Sequence, residues 1–257
     1  MAIATDSTSS FDPAAQPALV QPTGFLNQQV RAHLSSASNG TNTLPEIFGL
    51  VFGGEHRLAG LLDAVSFARW PEDEEPIDPI SAGNRKHLLI CSNLGARGIA
   101  CLHYFTAIKP NSWNIQELPD TVPDKIRSNM ANSVLIDASA RLAEKSSFPA
   151  GYTTALAYLY NLYWLATIEN HPQAVMEVNH LMGGSLGKWG VELTDLSVSR
   201  QIGGTTYSAM AIDPSSEKNS GLVEFADSLN PTILTMSGAK VLWPTVESSD
   251  SGLAAAS

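Results

Sequence analysis

The chain has 257 residues, with 15 Lys and Arg against 25 Asp and Glu for a formal charge of −10, and 44% of its residues are hydrophobic. That is enough apolar material for one large domain or two small ones with a real core, and the acidity opposes indiscriminate binding to a phosphate backbone. Cys91 and Cys101 are the only cysteines and form no C-x-x-C pair, which excludes a disulfide framework or a cysteine zinc site and predicts two buried free thiols.

Residues 1–43 are rich in Ser, Thr, Ala, Pro, Gln and Asn and show little hydrophobic periodicity. They predict a mobile arm whose docking side chains are Phe11, Phe25 and Leu26. The opening MAIATDSTSSFDPAAQPA has no basic region followed by an apolar run, and no segment approaches a membrane span. A soluble, intracellular protein with no membrane partner is expected.

From residue 44 the apolar spacing is mostly helical. Leu58, Leu61, Leu62 and Val65 predict a helix from Glu55 to Ala68, which Pro71 ends. The run WPEDEEPIDP follows with Glu72, Asp73, Glu74, Glu75 and Asp78, either a solvated loop or a mask for a basic neighbour. Residues Arg85 to Ile108 place Leu88, Leu89, Leu94, Ile99, Leu102 and Phe105 on one helical face, with breaks at Gly95 and Gly98. In LPDTVPDKIRSNMANSVLIDASARLAEK, Asp120 or Thr121 can cap and Pro123 suits a first turn. Ile126, Met130, Val134 and Leu142 then mark a long amphipathic helix. A buried helix follows Pro149, and PQAVMEVNHLM reads as another, ending in a cap at Gly183 and Gly184. The segment VELTDLSVSRQIGGTTYSAMAI alternates in part and suits a small hairpin turning at Gly203-Gly204. A last helix is expected from Gly221 to Leu229. The expected fold is therefore mainly α: a single helical core domain over 44–229, an N-terminal arm over 1–43, a C-terminal arm over 230–257, and room for one small β-hairpin.

Motifs of catalysis are sparse. MGGSLGKWG is not a phosphate loop, because Trp189 stands where the magnesium-binding hydroxyl belongs and a helical pattern precedes it. No G-x-S-x-G, H-E-x-x-H or G-x-G-x-x-G occurs, and the E-x-x-H pair of Glu177 and His180 has no second copy. Cys91 with His87 four residues earlier reads as core packing. No catalytic residue, metal site or cofactor is assigned. The basic residues do concentrate: segment 84–127 holds Arg85, Lys86, Arg97, Lys109, Lys125 and Arg127 against Glu117, Asp120 and Asp124. Arg85-Lys86-His87 at a helix start opposes the helix dipole, which an anion or acidic partner would relieve.

Alanine (30), serine (28) and proline (15) crowd the two arms around this core. In that plan the chain resembles coat and nucleoproteins of plant and fungal RNA viruses, of the flexuous-filament type or the Pro-Ala-Ser-rich type of polymycoviruses. The resemblance implies a non-enzymatic, self-assembling protein of the virion and host cytoplasm that packages RNA without sequence specificity. Arg85, Lys86, Arg97, Lys125, Arg127, Lys188 and Arg200 are the candidate RNA contacts. Phe11, Phe25 and Leu26 are the candidates for joining subunits into a homo-oligomer. The alternatives are a helical enzyme or small-ligand protein with a pocket near Trp164, His171 and His180, and a scaffold module.

Overall fold

A computed structural model describes residues 16–37, 44–69, 84–108, 118–142, 150–202, 204–237 and 240–242. Phe11, Lys109, the acidic run from Glu72 to Asp78 and the 243–257 tail lie outside the described residues. In chain order the elements are α1 (Gln16–Ala37), β1 (Ile47–Gly53), α2 (Arg57–Arg69), β2 (Arg85–Asn93), β3 (Ile99–Ile108), α3 (Asp124–Asn129), β4 (Val134–Arg141), α4 (Ala150–Tyr163), β5 (Ala174–Asn179), α5 (His180–Lys188), β6 (Thr194–Ile202), β7 (Thr205–Ile212), α6 (Glu217–Ser228), β8 (Ile233–Ser237) and β9 (Lys240–Leu242). The strands form one nine-stranded sheet in the order β6-β7-β5-β4-β3-β2-β1-β8-β9. Strands β1 to β4 are an antiparallel meander, β4 pairs β5 in parallel, and β8 joins β1 in parallel.

This mixed α/β architecture corrects the mainly α expectation, and burial on both faces explains the misreading. Strand β2 buries six consecutive residues and β3 seven, so neither shows the alternation of a half-exposed strand. A continuous apolar run fits a helix as well as a central strand when only spacing is read. The long helix expected after Pro123 is a single short helix, a 3-10 turn at Met130–Asn132 and then β4. PQAVMEVNHLM divides into β5 and the start of α5, so Gly183 and Gly184 lie inside a helix whose N-cap is Asn179. The expected hairpin is present as β6 and β7, with Ile202 opposite Thr205 and Gly204 at a positive φ of 78°, while Gly203 of the expected turn lies outside the described residues.

Helices cover both faces. On one, Leu26, Val30 and Leu34 of α1 and Leu58, Leu62 and Val65 of α2 pack on Phe48, Leu50, Phe52, Leu89 and Tyr104 of the sheet. The α1 residues recur every four positions, the stripe of a docked helix. On the other face α4, α5 and α6 cover Leu88, Ile90, Phe105, Ile136, Met176 and Val178. A further cluster on the first face holds Ile126 and Met130 against Val175, Leu196 and Ala211.

Both expected arms are thus part of the subunit wherever the structure describes them. Leu26, assigned to a neighbour's groove, is fully buried in its own core, while Phe25 beside it is exposed. At the other end Ile233, Leu234 and Met236 are buried in β8. The close parallel approach of β8 depends on Gly49, where a Cβ would stand 3.1 Å from Ile233 Cγ1. Among the described residues no helix is long and apolar enough to cross a membrane.

Candidate functional site

The most distinctive feature of the sheet is a fork. Strands β4 and β5 pair only through Val134, Leu135 and Ile136 with Ala174, Val175 and Met176. Beyond that point β4 continues to Arg141 on the β3 side, and β5 continues to Asn179 on the β7 side. The ladder between them is not continued, so two strand edges face each other inside the sheet. Along such an edge alternate residues direct both their N–H and their C=O toward the gap.

The fork is built by particular residues. In β4 the register shifts between Thr106 and Ala107 of its partner, which leaves Asp137 as an extra residue where the strands part. Such a bulge bends the strand that carries it. On the other side Asn179 ends β5 and caps α5 through an Oδ1 that accepts from Met182 N at 2.9 Å. The chain therefore turns straight from strand to helix at the mouth of the fork.

Aromatic side chains floor the fork on the α4 and α5 face. The Tyr158 ring meets Phe105 edge-on at 5.1 Å, and the His103 ring stands 4.9 Å from Phe105 and 6.1 Å from Tyr158. Trp189 lies 6.2 Å from Tyr158, whose hydroxyl lies 3.7 Å from Met182 Sδ. His103 pairs in register with Arg141 at the open end of β4, so both project from the same face. The arrangement joins an apolar slot, two proton-carrying side chains and a guanidinium to unpaired stretches of strand.

Two other polar groupings are structural. At the far end of the sheet a small cleft is lined by Asn84, Lys86, Trp164, Glu169 and His171. Lys86 Nζ pairs with Glu169 Oε2 there, and Trp164 Nε1 donates to Glu169 Oε1 at 3.3 Å. These bonds fasten the π-helical turn Trp164–Ile168 that ends α4. Under α1 and α2, Phe52 lies between His56 at 5.4 Å and His87 at 5.3 Å, and Arg57 Nε donates to His33 Nε2 at 2.6 Å. His87 Nδ1 is 3.0 Å from Thr106 Oγ1. Burial first, then Arg85 and His56, push its pKa down to about 4. Among the described residues no group of His, Cys, Asp and Glu is placed to hold a metal ion.

The candidate RNA contacts are scattered, and most are engaged within the chain. Arg85 pairs with Asp63, Lys86 with Glu169, Lys125 with Asp213 at 2.5 Å, and Arg127 with Asp120 and Asp124. Arg97 is exposed in a 3-10 turn, Lys188 is exposed at the end of α5, and Arg200 lies on the edge strand β6. They define no common groove. The pocket expected near Trp164, His171 and His180 is also divided. Trp164 and His171 share the cleft, while His180 begins α5 beyond the opposite end of β5. No spacing in the sequence signals the fork, because its parts lie between residues 103 and 189 on five separate elements.

No family model matches the chain, and no curated protein does. Among solved structures it is similar to the acyl-homoserine lactone synthase LasI, at 15% identity over 69% of this chain and 95% of that one, with a TM-score of 0.47. It is similar to BjaI, a CoA-dependent acyl-homoserine lactone synthase with SAM and isopentyl-CoA, at 9% identity over 74% and 94% of the two chains, with a TM-score of 0.48. A spermidine N-acetyltransferase SpeG chimera from Vibrio cholerae and hSSAT matches at 10% identity over 64% and 79%, with a TM-score of 0.36. These are enzymes, and none of them is a coat or nucleoprotein. The chain's own mixed α/β sheet, standing where a mainly α core was expected, corrects the viral resemblance, and with it the non-enzymatic reading, the virion setting, assembly through the arms and the RNA partner. The physical reason is that Leu26 and β8, in the described parts of the two arms, are buried in the subunit's own core, and four of the seven candidate RNA contacts are ion-paired within the chain.

Proposed function

We propose that the chain is an acyl-transfer enzyme whose acyl-thioester donor lies extended in the fork between β4 and β5. The single observation that carries this reading is the parallel pair that parts after three residue pairs. A ligand that fills a gap between strand edges must be narrow and extended and must offer amide groups to both sides. The phosphopantetheine arm of coenzyme A or of a carrier protein has that form, with two amides in a linear chain. Its thioester would reach the slot formed by His103, Phe105, Tyr158, Met182 and Trp189.

The chemistry follows from that placement. A nucleophilic amine or hydroxyl attacks the thioester carbonyl, the carbonyl carbon gains the new bond, and the C–S bond breaks. The attacking group loses a proton and the departing thiolate gains one. His103 and Tyr158 are the side chains on this face suited to carrying those protons. Arg141 lies where it can face negative charge on the donor.

Thermal denaturation with coenzyme A, short acyl-coenzyme A thioesters and an acyl-carrier protein tests the reading. A donor at a hundred times its Kd adds about 2.7 kcal/mol, which raises the Tm of a chain this size by roughly 5–10 °C. Tyr158→Phe should keep the shift while thiol release with an amine acceptor falls. No shift with any thioester, and no thiol release, would reject the proposal.

A further inference from the structure

The two cysteines are brought together by the sheet. Cys91 of β2 stands directly opposite Cys101 of β3, both are buried, and both belong to the cluster beneath α1. The register breaks at this point, because Ile90 pairs with His103 and Cys91 with Cys101, which leaves Leu102 as the extra residue of a bulge. Burial first, and then the neighbouring Cys101 thiol, hold the Cys91 thiol well above the ordinary thiol range. Facing residues on antiparallel strands have Cβ atoms about 4.5–5.5 Å apart, and a disulfide needs about 3.5–4.5 Å. Closing the bond asks for a shift of about 1 Å, at a bulge where the ladder is already irregular.

Helix α1 is the cover. Asn27 of α1 accepts from Cys101 N through its Oδ1 at 2.9 Å, and Leu26 and Val30 lie in the same cluster as both sulfurs. We propose that Cys91 and Cys101 form a redox pair, closed to a cross-strand disulfide by a small organic disulfide such as oxidised glutathione, with undocking of α1 as the gate. One cysteine thiolate attacks a sulfur of the oxidant and expels one small thiol. The second cysteine attacks the protein cysteine's sulfur in that mixed disulfide, forming the Cys91–Cys101 bond and expelling the other small thiol. The protein loses two protons and two electrons, and the oxidant is reduced to two thiols. The product staples β2 to β3 beneath α1.

The test is intact-mass spectrometry of the full chain incubated with oxidised glutathione at mildly alkaline pH. The expected product is about 2 Da lighter, carries no glutathione and returns to the starting mass with dithiothreitol. Asn27→Ala, which removes a hydrogen bond of the cover, should speed its formation roughly fivefold. Cys91→Ser should instead accumulate a single glutathione adduct on Cys101. Two stable adducts on the unaltered chain would overturn the proposal. So would an unchanged mass after prolonged exposure of both the unaltered chain and Asn27→Ala.

Discussion

Acidification should destabilise the chain through His87, and the size of the effect follows from its surroundings. The ring is buried, stacked on Phe52, and held at Nδ1 by Thr106. Its pKa in the folded chain is about 4, against 6.5 when unfolded. The unfolded state therefore binds more protons between these values, so the contribution is complete above pH 6.5 and is lost as the pH falls toward 4. Each pH unit in that window removes about 1.4 kcal/mol, which amounts to about 2 kcal/mol at pH 5 and about 3 kcal/mol in full. His33, lowered by burial and then by Arg57 and His56, adds to the loss with the same sign. Burial alone would raise Asp213, but its bonds to Lys125 and Ser215 hold it below 3.8, so its contribution is lost only at lower pH. Urea denaturation at pH 7.5 and pH 5.0, followed by tryptophan fluorescence, measures the difference. His87→Phe fits against Phe52 but strips Thr106 Oγ1 of its ring partner, so about 1 kcal/mol is lost at pH 7.5. The drop between the two pH values should then shrink by about 2 kcal/mol. If His87→Phe keeps the drop of the unaltered chain, burial of a neutral His87 is not the cause.

Asn219 is fully buried and joins α6 to two other segments, accepting from Glu192 N and donating to Glu192 O and Asp213 O. Asn219→Ala leaves those backbone groups without it and should cost roughly 2–4 kcal/mol in urea denaturation, whereas an effect under 0.5 kcal/mol would mean that the network adds nothing. Leu26→Ala tests whether α1 belongs to the subunit, because truncating a fully buried leucine costs about 2–5 kcal/mol. Circular dichroism melts of that variant matching the unaltered chain would return α1 to the status of a loose arm.

The sequence by itself located those helices whose ends are written in local chemistry. Pro71 lies just beyond α2, Pro149 stands one residue before α4, and Pro231 follows α6, so each has a boundary near where spacing and proline place it. It also located the β6–β7 hairpin, because a glycine pair in the sequence separates two partly alternating segments. The central strands were not legible. Leu88 to Cys91 and Leu102 to Phe105 are apolar on both sides because helices cover both faces of the sheet, and such a run carries no period to read. For α1 the polar composition masked three leucine and valine side chains spaced four apart, which gain stability only from the sheet beneath them. The basic segment looked like an unpaired patch because its acidic partners are remote in sequence: Glu169 for Lys86 and Asp213 for Lys125. The fork lay furthest from view. It arises where β4 and β5 stop pairing, and strand pairing joins segments about 40 residues apart through backbone groups common to nearly every residue type. A local pattern of side chains can set where a strand begins, but only the assembled sheet decides where two strands part.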